Sequence, residues 1–158
     1  MAERLNYLAA SAGGMQAFGG VHLYIAKCGL PSALVNLVYL RVSQINGCAY
    51  CISTHSRDLM KEGVPVQKLL LLSVWRESGD LFSQRERAAL QWAEVLATVA
   101  ETHAPESDYQ VVRAEFSDKE LADLTYAIAL ISAYNRIGVG FGQGPERSFL
   151  EAAHGEQG

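Results

Sequence analysis

Two cysteines and a histidine stand close together in the 158-residue chain, in the run Cys48-Ala49-Tyr50-Cys51-Ile52-Ser53-Thr54-His55. Cys51 follows Cys48 by three residues and His55 follows Cys51 by four. On a helix, offsets of three and four bring side chains onto one face, so the spacing predicts a ridge of two sulfurs and an imidazole. At a helix start, unpaired N–H groups favour a thiolate over a thiol. The imidazole can accept the thiol proton or, when charged, pair with the sulfur. A thiolate beside a second thiol can reduce a peroxide: the first sulfur becomes a sulfenic acid and the second condenses with it, releasing water.

The two sulfurs are not equivalent. Cys48 has the larger helix-end effect, whereas Cys51 has the base within one turn, and the spacing favours Cys51 as nucleophile with Cys48 as the resolving thiol. Two other readings fit the same residues. The cysteines can be inert small apolar side chains with His55 a satisfied core residue. Alternatively Cys48, Cys51 and His55 are three zinc ligands, with a fourth required from His22, Cys28, His103 or His154, none of which has a spacing that nominates it. Cys28 reads as a packed thiol and His22 as a packing or buried hydrogen-bonding residue. His103 and His154 read as loop or tail residues.

The elements that must position this ridge read as helices throughout. No segment sustains the two-residue alternation of a half-buried strand. Asn46-Gly47 is predicted to close one helix and open another, because Leu34, Leu37, Val38, Val42 and Ile45 before it follow helical spacing. Helices are expected over about 14–28, 32–46, 48–61, 66–75, 83–101 and 107–115, with a further one opening at Ser117. Glycine and proline punctuate the first three. Ser83 with Glu86, and Ser117 with Glu120, carry the capping-box pattern. The last helix has no charged residue from Leu124 to Asn135 and is expected at the centre of the bundle, ending in a loose segment over 138–145 and a final turn over 147–153. The expected fold is a single all-α domain of six or seven helices, its core over about 4–141.

Composition narrows the function classes. The chain carries 13 basic and 17 acidic residues, a formal net charge of -4, and is 49% apolar. It has no lysine or arginine cluster, so no nucleic-acid role is expected. The uncharged stretch 5–26 is interrupted by Asn6, Ser11, Gln16, four glycines and His22, which argues against a membrane span. No basic segment followed by a compact apolar run marks a secretory signal, and a cytoplasmic protein with free thiols is expected. No phosphate loop or nucleotide fingerprint appears, and no cofactor or metal is implied.

The run Arg41-Val42-Ser43-Gln44-Ile45-Asn46-Gly47-Cys48-Ala49-Tyr50-Cys51, with His55 and Gly63 beyond it, resembles the alkylhydroperoxidase D and carboxymuconolactone decarboxylase superfamily. So do Arg4-Leu5-Asn6-Tyr7, Arg85-Glu86-Arg87-Ala88-Ala89-Leu90, Phe116-Ser117-Asp118-Lys119-Glu120-Leu121 and Ala133-Tyr134-Asn135-Arg136. The resemblance implies an all-helical fold assembling as trimers or hexamers. It implies a thiol peroxidase in which Cys51 is peroxidatic, Cys48 resolves and His55 belongs to a proton relay. It also implies reduction by a dihydrolipoyl-bearing adaptor or another external dithiol. The lactone decarboxylases of the superfamily generally lack the cysteine pair, which counts against that reaction.

Two positions depart from the family pattern. The relay glutamate expected twelve residues before Cys48 is Asn36, whose amide can hold the imidazole or a water but takes no proton. The residue before Cys51, a histidine in the best-studied branch of the family it resembles, is Tyr50, and a phenol is a poor base at neutral pH. Both changes weaken general-base activation of Cys51. Glu86 and Glu94 are the carboxylates nominated to replace the missing one. The expectation is a peroxidase for organic hydroperoxides, of reduced activity or altered donor. A thiol-disulfide oxidoreductase or redox sensor, and a non-catalytic module of the same fold, are the alternatives.

Overall fold

The computed structural model describes residues 4–145, and all of its regular secondary structure there is helical. The final turn expected over 147–153, and His154, lie outside the described residues. A short α1 (Tyr7–Ala10) leads into α2 (Ala12–Ile25), and the long helices α3 (Ser32–Asn46) and α4 (Ala49–Lys61) follow. Then come α5 (Val66–Leu70), a 3-10 segment (Leu72–Glu77), α6 (Gln84–Ala97), a single turn α7 (Val99–Thr102), α8 (Glu106–Glu115) and α9 (Asp118–Phe141).

The all-α expectation holds, and most helix starts fall within two residues of their predicted places because the signals are local. Ser83 and Ser117 each accept the N–H of the residue three on, while Glu86 and Glu120 accept the N–H of the cap serine. Gly47 closes α3 in the left-handed region at φ 67°, and the Cys48 N–H donates to the Ser43 carbonyl at 3.0 Å, so Asn46-Gly47 is a helix stop.

Four expectations need correction. The helix predicted over 66–75 stops at Leu70 and tightens to 3-10 geometry, a three-residue spacing that turns both Leu72 and Trp75 inward. The helix over 83–101 breaks at Thr98, whose hydroxyl bonds the Glu94 carbonyl at 2.9 Å. The segment from Gly138 is not loose: α9 continues through Gly138 and Gly140 to Phe141 and is capped by Gly142 at φ 72°. The centre belongs to α3, which packs on α4, α6 and α9 and buries eight of its 15 residues, whereas the longer α9 exposes Tyr126 within its uncharged run and Val139 beyond it.

Two apolar clusters meet along α3. One gathers Val38 and Val42 with α9 residues such as Leu124 and Ile128, and includes both Cys48 and Cys51. The other packs Leu37 and Leu40 against Leu59, Leu72, Trp75 and Leu90. The chain start is tied to the end of α9: the Arg4 N–H donates to the Phe141 carbonyl at 2.9 Å and the Tyr7 ring stacks on Phe141 at 5.2 Å. Among the described residues, no helix is long and apolar enough to cross a membrane.

Candidate active site

The turn that carries the sulfurs is fixed from below by polar groups. Asn135 of α9 is fully buried; its Nδ2 donates to Ser43 Oγ at 2.9 Å and its Oδ1 accepts from Asn46 Nδ2 at 3.0 Å. Buried amides need such partners, and these three residues pin the end of α3 to α9. The chain then turns at Gly47 and enters α4 through Cys48, which is the N-cap in an extended conformation and not the first helical residue. Its Sγ accepts the Cys51 backbone N–H at 3.3 Å, the bond a cap side chain ordinarily makes. Cys48 and Cys51 are joined as a disulfide with their Cα atoms 5.3 Å apart.

Both cysteines are nearly inaccessible, at 1% and 4% exposure, but their surroundings differ. Cys48 is closed over by the α9 backbone at Gly138, where a Cβ would stand 3.1 Å from its sulfur. Cys51 lines a cavity of about 330 Å³ together with Tyr50 and His55. The apolar wall of this cavity comes from Leu8, Met15, Ile131 and Ile137 on α1, α2 and α9. The apolar residues Ile52 and Val38 form no part of this wall. Both lie in the packed clusters.

His55 stands one turn beyond Cys51 and between two hollows, the cavity just described and a second of about 350 Å³ toward the start of α3. Its ring packs at 4.9 Å from that of Tyr39, and Asn36 Oδ1 lies 3.1 Å from its Nδ1. Burial pushes the imidazole down to about 4, against an opposing pull from Asp58 and with further lowering by His22 and Arg57. The ring is therefore neutral at physiological pH, a proton acceptor and not a counter-charge for the sulfur. The hydroxyls of Tyr39 and Thr54, which line both hollows, are buried without a hydrogen-bond partner among the described residues. Burial also raises the Tyr39 phenol far above its ordinary value, so it stays a donor.

The five residues singled out by sequence thus come together: Cys51, Tyr50 and His55 at one cavity, Cys48 bonded behind Cys51, and Asn36 behind His55. The carboxylates nominated to complete the relay do not. Glu86 is held by its capping box and by Lys68 Nζ at 2.7 Å. Glu94 receives Arg41 at 2.6 Å, Trp75 Nε1 at 3.0 Å and Arg76; burial works against its charge, but these bonds outweigh it and hold the carboxyl below its usual range. The carboxylate that stands behind Asn36 is Glu62, bonded to Asn36 Nδ2 at 2.9 Å. Nothing in the sequence pointed to it, because it sits 26 residues from Asn36 at the far end of α4. Gly138 was missed because glycine at that place reads as a helix stop. Tyr7 had a signal in the Arg-Leu-Asn-Tyr opening; its hydroxyl donates to Gln143 Oε1 at 2.8 Å at the cavity wall.

The other nominated side chains lie elsewhere. Cys28 is a half-buried free thiol packed at the edge of the first cluster, in keeping with a packing role. His22 is exposed on α2 and faces both hollows, not buried as its apolar helix suggested, since α2 buries only Ile25. His103 ends α7 in a left-handed conformation. No group of three or more His, Cys, Asp or Glu able to hold a metal occurs among the described residues.

The profile of the carboxymuconolactone decarboxylase family matches residues 9–95, more than half of the chain. The protein YdfG of Bacillus subtilis is 31% identical over 142 residues, which cover 90% of this chain and 96% of that one. A crystal structure from Agrobacterium tumefaciens, of a protein of unknown function named as a candidate antioxidant-defence protein AhpD, superposes with a TM-score of 0.89. It is 38% identical, with coverage of 92% of this chain and 99% of that one. The debrominase Bmp8, 23% identical over 86% of this chain and 74% of its own, shares the fold at a TM-score of 0.74. By sequence and by architecture, the chain belongs to the carboxymuconolactone decarboxylase family, within the superfamily shared with alkylhydroperoxidase D.

Proposed function

We propose that this protein is a thiol-dependent peroxidase for organic hydroperoxides, with Cys51 peroxidatic and Cys48 resolving. The observation that carries the reading is the setting of Cys51: its sulfur is bonded to that of Cys48, and it shares a cavity with a neutral imidazole one turn away. The division of labour follows access, since substrate in the cavity meets Cys51, while the α9 backbone covers Cys48. Family membership supports a redox role without choosing among the reactions found on this fold.

In the reduced protein His55 takes the Cys51 thiol proton. The thiolate attacks the terminal oxygen of the hydroperoxide, an S–O bond forms and the O–O bond breaks. The proton passes from His55 to the departing oxygen, which leaves as an alcohol. Cys48 then attacks the sulfenic sulfur, the S–S bond forms, and the displaced oxygen leaves as water with the Cys48 proton. An external dithiol regenerates the pair by attack on the cavity-facing Cys51 sulfur. The leaving Cys48 thiolate is stabilised by the Cys51 N–H. The donor's second thiol displaces Cys51 and leaves the donor as a disulfide. The apolar wall favours an organic peroxide, and the Tyr39 and Thr54 hydroxyls are placed to donate to a polar ligand in the cavity. Homo-oligomers are part of the reading: uncharged α2 leaves Val21, Leu23 and Tyr24 exposed, apolar surface available to another copy.

Stopped-flow oxidation of the reduced protein by cumene hydroperoxide tests this. Rapid thiol loss in the wild type, abolished in Cys51→Ser, supports the reading; Cys48→Ser should stop at a sulfenic acid that dimedone traps. Equal slow oxidation of wild type and Cys51→Ser would sink it.

A further inference from the structure

Ser32 and Asn36 lie one turn apart at the start of α3, and Glu62 caps the far end of α4. The Glu62 carboxylate meets both: its Oε1 accepts from Ser32 Oγ and from Asn36 Nδ2, each at 2.9 Å. A carboxylate has no hydrogen to give, so the amide must turn its NH2 group toward Glu62 and its oxygen toward His55. That oxygen, 3.1 Å from Nδ1, can only accept. The hydrogen of the neutral ring therefore sits on Nδ1, and Nε2 keeps its lone pair.

We propose that Glu62 is a positioning residue: through Asn36 it decides which nitrogen of His55 carries the hydrogen, and so keeps the other nitrogen a base. An amide alone is ambivalent. Rotated by half a turn, Asn36 would donate to Nδ1, the ring hydrogen would move to Nε2, and the imidazole would lose its free acceptor. The carboxylate that the family resemblance leads one to expect at position 36 is, in this chain, one residue further out and acts through the orientation of an amide. The consequence for rate rests on the peroxidase reading; the consequence for the tautomer does not.

The discriminating variant is Glu62→Lys, at an exposed helix end where a charge change is compatible with folding. An ammonium can only donate, so it inverts the demand on the amide. Ring nitrogen shifts of His55, read by long-range proton–nitrogen correlation on histidine-labelled protein at neutral pH, report the tautomer. The wild type should show the Nδ1–H form and Glu62→Lys the Nε2–H form. Thiol oxidation by cumene hydroperoxide should slow by about tenfold or more, toward the loss typical of a missing general base. Adding Asn36→Asp should restore both readouts, because a carboxylate at that position accepts from His55 whatever faces it. A Nδ1–H tautomer surviving in Glu62→Lys would overturn the proposal, as would failure of the double variant to return the ring to that form. A tautomer that switches with no change in rate would uphold the assignment of Glu62 and remove His55 from the peroxidase cycle.

Discussion

A methyl group on Gly138 would stand 3.1 Å from Sγ of Cys48 and 4.0 Å from Sγ of Cys51. Glycine inside a helix costs about 1 kcal/mol relative to alanine, and here the absent side chain lets the α9 backbone close over the sulfurs. Gly138→Ala should gain helix propensity and lose it to crowding, and the balance should depend on redox state. With the disulfide formed, the Cys48 sulfur is held in place and overpacking should destabilise by about 1 kcal/mol or more. With the thiols free, the Cys48 side chain can yield. Urea denaturation with and without reductant measures both states, and the variant should lose more stability when oxidised. An equal effect in the two states would show that the sulfur is not what Gly138 accommodates.

His55 makes stability depend on pH with a definite sign. The folded chain keeps the ring neutral down to about pH 4, whereas an unfolded histidine takes a proton near pH 6.5. Between these values the unfolded state binds more protons, so this contribution to stability is intact at neutral pH and falls away as the pH drops through the window. Each step of one pH within that window removes about 1.4 kcal/mol, so acidification from pH 7 to about pH 4.5 costs on the order of 2 kcal/mol. His55→Gln removes the component, so the variant should lose correspondingly less on acidification. Denaturation midpoints of the two proteins at the two pH values give the difference.

Asn135 joins Ser43 through a buried hydrogen bond and Asn46 through a part-buried one. Asn135→Leu fills the space but strands the Ser43 hydroxyl and the Asn46 amide, so it should cost about 1–3 kcal/mol. Because these bonds fix the turn into Cys48, the variant should also slow closure of the disulfide after oxidation. Mass spectrometry of the sulfenic acid lifetime at Cys51 would detect this, and a lifetime equal to that of the wild type would confine Asn135 to a stabilising role.

Tyr7 stacks on Phe141, bonds Gln143 and forms part of the cavity wall. Tyr7→Ala should widen the cavity and weaken the binding of bulky hydroperoxides by about tenfold or less, the scale of one lost apolar contact. The step at Cys51 should be little affected. The rate for cumene hydroperoxide relative to hydrogen peroxide measures it, and the ratio should fall.

Much of the molecule is legible along the chain, because the relevant forces act over one or two turns. The capping boxes at Ser83 and Ser117, the left-handed stop at Gly47, and the i, i+3, i+7 ridge of Cys48, Cys51 and His55 each depend on neighbours within seven residues. Glycine is where local reading fails. Gly47 and Gly142 end helices through positive φ, whereas Gly138, of the same residue type, sits inside one because another segment approaches it. Composition is equally blind to depth: the uncharged run 124–135 of α9 exposes Tyr126, while α3, with Arg41 in it, occupies the centre.

The all-helical class, most helix starts and the chemical identity of the sulfur and imidazole ridge are therefore written in the order of the residues. Three features emerge with packing alone: Cys51 is the cysteine that faces a cavity, Glu62 and not Glu86 or Glu94 stands behind Asn36, and the opening Arg4 to Tyr7 segment reaches the end of α9. Helix starts and ridges are set by backbone hydrogen bonds and side-chain periodicity that a few residues carry. Cavities and relays arise where helices distant in sequence meet, and the packing that brings Glu62 to Asn36 across 26 residues has no counterpart in local spacing.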